Sequence, residues 1–242
     1  MRGWWREFAG LVLPDACGGC GLPRTPLCAA CREALHRAGP RRVRPVPEPA
    51  GLPVVHAAAP YTDAVRALLL GHKERGALEL AGPLGVALAG AVRAAASRSA
   101  GAGTGPLLLV AVPSARRAVR ARGHDATRRI ASAAARELRR TGTAARVLPV
   151  LRQRREVADQ SGLDPWQRAA NLAGALEVVR GAGRLLSDGR VVLVDDLMTT
   201  GASLTEAARA LSAVHARPFP GLTPVDAAVV AAVPSAFGIK RN

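Results

Sequence analysis

The chain has 242 residues, 34 Lys+Arg against 18 Asp+Glu, a formal net charge of +16, 49% hydrophobic residues and only 3% aromatic ones. So much apolar content excludes a disordered chain. All but two of the basic residues (Lys73 and Lys240) are arginine, whose guanidinium fork binds oxyanions bidentately, while the shortage of aromatic rings argues against base stacking on single strands. Fifty residues are alanine, so much of the apolar fraction is small side chain rather than bulky core.

Met1–Pro14 carries Trp4, Trp5, Phe8, Leu11 and Leu13 without the apolar core and small-residue cleavage site of a signal peptide. It reads as an amphipathic lead-in, and a cytoplasmic protein is expected. Four cysteines follow within fifteen residues, Cys17-x2-Cys20 and Cys28-x2-Cys31, with His36 outside the second pair as a surface residue. Two such knuckles closing on each other set four thiolates at the corners of a tetrahedron, the coordination of a structural zinc with no open position for catalysis. A cytoplasmic setting disfavours disulfides as the alternative. Gly18, Gly19 and Gly21 suit the tight turn. Arg37–Pro53, with Pro40, Pro45, Pro47, Pro49 and Pro53, reads as an extended linker, giving a boundary near residue 53 between a zinc module (1–53) and a second domain (54–242).

Beyond the linker, helical and strand-like patterns alternate. The expected elements are helices over Tyr61–Leu70 and Gly76–Ala96 (restarting at Pro83), a loop over Ser97–Gly105, a buried strand over Leu107–Val112, a helix over Gly123–Arg140, and strands over Arg146–Leu151, Ala175–Val179 and Arg190–Val194. A helix over Ala202–Val214 and a strand over Val225–Val233 complete the series. The longest apolar runs, such as Ala81–Val92, fall short of the roughly 20 residues of a membrane span, so no span is expected. Strand–helix alternation implies an α/β fold with a parallel sheet, its ligand site at the carboxyl ends of the strands.

The run Val191-Val192-Leu193-Val194-Asp195-Asp196-Leu197-Met198-Thr199-Thr200-Gly201-Ala202-Ser203 carries the chemistry. An apolar strand ends in two carboxylates and passes through a hydroxyl-rich turn into a helix, whose unpaired N–H groups and dipole attract an anion. Gly201 allows close backbone approach, and Thr199, Thr200 and Ser203 add donors. A phosphate at the 199–203 turn, with Asp195 and Asp196 on vicinal hydroxyls directly or through Mg2+, fits a ribose 5-phosphate.

Here the chain resembles the type I phosphoribosyltransferases, and with its four-cysteine knuckle and Pro-rich link it resembles the ComF family of competence-associated proteins. Tyr61 with Leu70-Gly71-His72-Lys73 is similar to that family's Tyr…Leu-Lys block. Val112-Pro113 with Arg116, Arg117, Arg120 and Arg122-Gly123 is similar to its Val-Pro…Arg…Arg-Gly loop. Arg155 through Asp159-Gln160-Ser161 to Arg168 and Asn171 is similar to its Arg…Gln…Arg…Asn block. His124-Asp125-Ala126 departs from the family's Phe-Asn-Gln; His124 either helps bind or protonate a leaving diphosphate or simply leads into the next helix. The resemblance implies a type I phosphoribosyltransferase-like sheet that binds phosphoribosyl diphosphate with Mg2+. Asp195 and Asp196 would hold the ribose, Thr199 to Ser203 (with Gly201 and Ala202) the 5-phosphate, and Lys73, Arg116 and Arg122 the diphosphate. Arg152–Asn171 would form a cover. Three functions follow: a transferase of unspecified acceptor, a non-catalytic nucleotide sensor, or an adaptor for single-stranded DNA or DNA-uptake proteins.

Overall fold

A computed structural model describes residues 16–97, 105–155, 165–215 and 226–238. Its elements are α1 (Ala29–His36), β1 (Arg41–Val43), β2 (Val55–Pro60), α2 (Asp63–Glu74), α3 (Ala81–Ser97), β3 (Leu107–Ala111), α4 (Arg116–Arg122), α5 (Ala126–Arg140), β4 (Ala145–Val147), β5 (Leu151–Gln153), α6 (Pro165–Leu172), β6 (Leu176–Val178), α7 (Gly183–Ser187), β7 (Arg190–Met198), α8 (Ala202–His215) and β8 (Asp226–Ala232), with 3-10 turns at Leu78–Leu80 and Pro234–Phe237. The expected N-terminal lead-in, the loop after Ser97 and the middle of the expected cover, including Asp159-Gln160-Ser161, lie outside the described residues.

Six strands form one sheet in the order β1-β2-β8-β7-β3-β4. All neighbours are parallel except β1 and β2, as the βαβ alternation requires. Successive residues along the central strands pack into opposite cores. Leu107, Leu109, Val192 and Val194 face α2, α3, α5 and the cysteine segment, whereas Leu108, Val110, Val191 and Leu193 face α7, α8 and the β5–β6 ribbon. Both faces are therefore apolar, which is why these strands read as unbroken apolar runs.

Alanine explains how the layers approach. At Gly85 of α3 an added Cβ would lie 2.4 Å from the Cβ of Ala133 and 2.9 Å from its carbonyl carbon in α5. The two helices touch backbone to backbone, and a methyl there must push them apart, at a typical overpacking cost of about 1–3 kcal/mol. With its preceding turn, α3 makes Leu78–Ser97 long and apolar enough to cross a membrane, yet Leu84, Leu88 and Val92 are fully buried against the sheet. It is a core helix.

Several expectations shift for identifiable reasons. The Arg37–Pro53 linker contributes β1, which pairs antiparallel with β2. The expected Arg146–Leu151 strand divides at Pro149, which has no N–H for a ladder, and the chain leaves the main sheet. The following β5 pairs antiparallel with β6 as a separate ribbon. Pro83 sits in the first turn of α3, where a missing N–H breaks nothing. Gly123 adopts φ +74, and Asp125 caps α5 by accepting from the Arg128 amide at 3.1 Å, so the helix starts at Ala126 and not at Gly123.

Candidate functional site

The chain runs from β3 outward to β4 on one side and from β7 to β8 on the other. β3 and β7 are therefore neighbours whose following segments diverge, and such a switch point opens a crevice at the carboxyl ends of the strands. The two segments begin in contact, with the Val112 amide donating to the Val194 carbonyl at 2.9 Å, one residue before Asp195.

β7 does not stop at Val194. It continues to Met198, because Asp195, Leu197 and Met198 remain paired with Val229, Ala231 and Ala232 of β8. Both acids are consequently held in a strand and buried, Asp195 at 9% exposure and Asp196 at 4%. Asp195 Oδ1 accepts from the Asp196 amide at 2.8 Å, and Lys73 Nζ, from the last turn of α2, donates to Asp196 Oδ2 at 2.8 Å. Burial, reinforced by the neighbouring Asp196 charge, raises the Asp195 carboxyl well above the usual carboxylate range, with Lys73 pulling the other way. For Lys73, burial disfavours the ammonium, but the Asp196 carboxylate outweighs it and the net shift is upward. The crevice is thus a buried acid pair with one resident cation.

After Met198 the chain turns through Thr199, Thr200 and Gly201 into α8, as expected. Gly201 has φ +82, and a Cβ there would come within 2.9 Å of Leu52, so no other residue sits comfortably in this turn. Thr200 Oγ1 accepts from the Ala202 amide at 3.5 Å, and the Gly201 carbonyl accepts from the Thr205 amide and hydroxyl at 2.9 and 3.1 Å. Among the described residues, the half-buried Thr199 and Ser203 hydroxyls have no protein partner. They stand at a helix N-terminus with donors to spare.

The arginine loop after β3 is built differently. Arg116–Arg122 is a short helix, α4, whose first amide donates to Gln153 Oε1 at 3.3 Å from the β5–β6 ribbon. Arg116, Arg117 and Arg120 are exposed, and no acid among the described residues pairs with them. Arg122 turns inward. Its side chain is only 9% exposed, and Nη1 donates to Glu74 Oε1 and to the Lys73 carbonyl, both at 3.2 Å. His124 reaches the same segment, its Nε2 lying 3.4 Å from the His72 carbonyl oxygen and its Nδ1 3.0 Å from that of Arg122. Of the expected diphosphate contacts, then, Lys73 stands at the acid pair, Arg116 on the exposed face and Arg122 against α2.

The four cysteines come together as their spacing predicts: the Sγ atoms of Cys17, Cys20, Cys28 and Cys31 lie within 4.8 Å of one another and form no disulfide. Backbone amides of Cys28 and Cys31 donate to the sulfurs of Cys17 and Cys28 at 3.3 and 3.4 Å. A Cβ at Gly19 would sit 2.6 Å from Cys31 Sγ, which fixes glycine there. Burial opposes ionisation of Cys17, but amides of Cys28, Cys20 and Gly19 bring its thiol down to about 6. Burial and the adjoining sulfurs push Cys31 up. Four sulfurs crowded this closely, two of them already accepting from backbone amides, fit a divalent ion such as zinc. Cys17, Leu27, Cys28, Cys31 and Leu35 share one core with α2 and α3. His36 is half-buried at the end of α1, outside the sulfur cluster.

Sequence reasoning missed Glu74, Gln153 and the buried Glu206. Glu206 Oε1 accepts from the Leu176 amide at 2.9 Å and pairs with Arg209, which itself donates to the Leu176 carbonyl at 3.0 Å. One ion pair on α8 thereby grips both peptide groups of a β6 residue, tying the ribbon to the helix that begins at the Thr-Thr-Gly turn. No local pattern announces such a role. No protein-family model matches the chain, and no curated protein is similar enough to count as a relative.

Proposed function

We infer that the switch-point crevice binds phosphoribosyl diphosphate or a closely related ribose 5-phosphate ligand, and that the chain is a ComF-like phosphoribosyltransferase homologue. One observation carries the reading: a buried pair of adjacent carboxylates sits directly ahead of a glycine turn at a helix N-terminus whose Thr199 and Ser203 hydroxyls have no partner among the described residues. In that reading the 5-phosphate lies on Thr199–Ser203, where amides and hydroxyls donate, and Asp195 and Asp196 accept from the 2- and 3-hydroxyls of the sugar. Lys73, one salt-bridge length from Asp196, meets the diphosphate, which brings its own Mg2+. Arg116, from the exposed face of α4, adds positive charge at the mouth.

In transfer, the C1–oxygen bond to diphosphate breaks as an acceptor nucleophile bonds to C1 and gives up its proton. The developing negative charge falls on the diphosphate oxygens, where fixed cations are most effective. The acceptor is not specified by any residue at the site, so diphosphate release separates an enzyme from a sensor that only binds. Association with DNA uptake belongs to the same proposal.

Isothermal titration of Mg2+–phosphoribosyl diphosphate into the protein and into an Asp195→Ala/Asp196→Ala variant tests the reading. Binding by the protein that the variant loses supports it; absence of binding by the protein, or equal binding by both, overturns it. A screen of nucleobases and other nucleophiles for diphosphate release then decides between transfer and sensing.

A further inference from the structure

The inward turn of Arg122 assigns it a task that its place in an arginine-rich loop conceals. Two residues flank Gly123 in its left-handed conformation, and between them they reach back across the chain to three consecutive residues of α2. Arg122 donates to the Lys73 carbonyl and to the Glu74 carboxylate, and His124 lies against the His72 carbonyl. The rings of His72 and His124 stand 5.9 Å apart. His72 is fully buried, and its Nε2 lies 3.3 Å from the Ala126 carbonyl oxygen at the start of α5. The end of α2 is thus held from the loop by side chains acting on its backbone, and the residue held is the one whose ammonium stands on Asp196. Carbonyls in the last turn of a helix have no partner within it; here Arg122 supplies one, and His124 supplies a second in the tautomer that carries its proton on Nε2.

We propose that Arg122 and His124 are positioning residues: by gripping the carbonyls of Lys73 and His72 they keep the Lys73 ammonium on Asp196, at the point where ligand phosphates must arrive. A long lysine side chain loses much rotamer freedom when fixed; the ion pair with Asp196 fixes it before the ligand binds, and the anchored backbone keeps its root within reach of that carboxylate. The holding of Lys73 is a property of the ligand-free protein. Its consequence for affinity rests on the phosphoribosyl diphosphate reading, and the two are measured separately.

The ligand-free arm exploits the fact that only Lys73 and Lys240 are lysines. The folded, full-length protein is acylated briefly with an amine-reactive ester, and the Lys73:Lys240 labelling ratio is read by mass spectrometry. Arg122→Gln, and separately His124→Ala, should raise that ratio by about fivefold, the scale expected when a partly buried ion pair is lost. Asp196→Asn should raise it as much, and Arg122→Lys, which retains a donor, should restore most of the protection. Should Arg122→Gln fail to fold, Glu74→Gln takes its place, since it loosens the same guanidinium from outside. An unchanged ratio in folded Arg122→Gln (or Glu74→Gln) and His124→Ala overturns the proposal. The second arm titrates Mg2+–phosphoribosyl diphosphate: Arg122→Gln should weaken binding about tenfold, or about 1.4 kcal/mol, and Lys73→Met/Arg122→Gln should bind no more weakly than Lys73→Met alone. Additive losses in that cycle would make Arg122 an independent ligand contact and overturn the positioning role. Failure of the native protein to bind overturns the functional reading, while the labelling ratio still decides this one.

Discussion

Two segments leave the carboxyl edge of the sheet side by side, one after β7 and one after β3, and both looked from the sequence like phosphate loops. The segment after β7 has a backbone built for close approach: Gly201 at φ +82, a threonine hydroxyl under the helix start, and two hydroxyls without protein partners among the described residues. The segment after β3 carries more formal charge, yet its most buried arginine is spent on Glu74 and a carbonyl of α2, while Arg116, Arg117 and Arg120 remain on an exposed helix face. The two segments thus differ in what their backbones do, and the number of arginines does not predict which of them leaves hydroxyls unpartnered among the described residues. The acid pair sharpens the contrast, since it is buried where a protein designed only for stability would place apolar side chains.

The largest expected effect is at Asp195, and it has two signs. Its carboxyl is raised above the ordinary value of 3.8, so the folded chain holds that proton more tightly than the unfolded one. The associated stability is fully present below pH 3.8 and is lost as pH rises through the folded value. At neutral pH Asp195→Asn should therefore raise the Tm of the ligand-free protein by about 3 °C, roughly 1 kcal/mol, while weakening phosphoribosyl diphosphate binding about 30-fold or more. A lower Tm by calorimetry would remove the argument that this acid is held for function.

Next in size, Gly201→Ala forces an L-residue to positive φ and should cost about 1–2 kcal/mol, seen as a lower denaturation midpoint. In the arginine segment the comparison can be broken directly. Arg122→Gln leaves Glu74 and the Lys73 carbonyl of α2 short of a donor and should cost about 1 kcal/mol, whereas Arg117→Gln and Arg120→Gln should stay within about 0.5 kcal/mol of the parent. Equal losses at all three would mean that the buried and exposed arginines do not differ.

The smallest effect is a pH dependence at His72. Burial lowers its pKa below the ordinary 6.5, against carbonyls of Ala77 and Ala126 that favour the proton. The unfolded chain then takes up a proton that the folded chain refuses. Stability from this group is complete above pH 6.5 and declines as pH falls below it, and His72→Gln should flatten that part of the Tm–pH curve.

How much was legible follows from the range of the interactions. The cysteine cluster was, because two knuckles specify four ligands within one short segment. The α/β alternation and the Asp-Asp-Leu-Met-Thr-Thr-Gly turn were, because apolar runs and a glycine turn are local. The continuation of β7 through Met198 was not, since it depends on pairing with β8, some thirty residues on. Nor was the antiparallel β5–β6 ribbon, where Pro149 ends one strand without saying what the next will pair with. Arg122 reads like its neighbours until Glu74, 48 residues away, is found beside it, and Glu206 has no signature at all. Side chains that act on distant backbone leave no period in the sequence.

The claim that the two divergent segments enclose one ligand site is tested most directly by amide hydrogen exchange with and without Mg2+–phosphoribosyl diphosphate. The account predicts slowed exchange at Thr199–Leu204 and, in the same sample, at Ser114–Gly123 and the end of α2 around Lys73. Protection confined to other surfaces, or none at a ligand concentration that saturates the calorimetric titration, would contradict it.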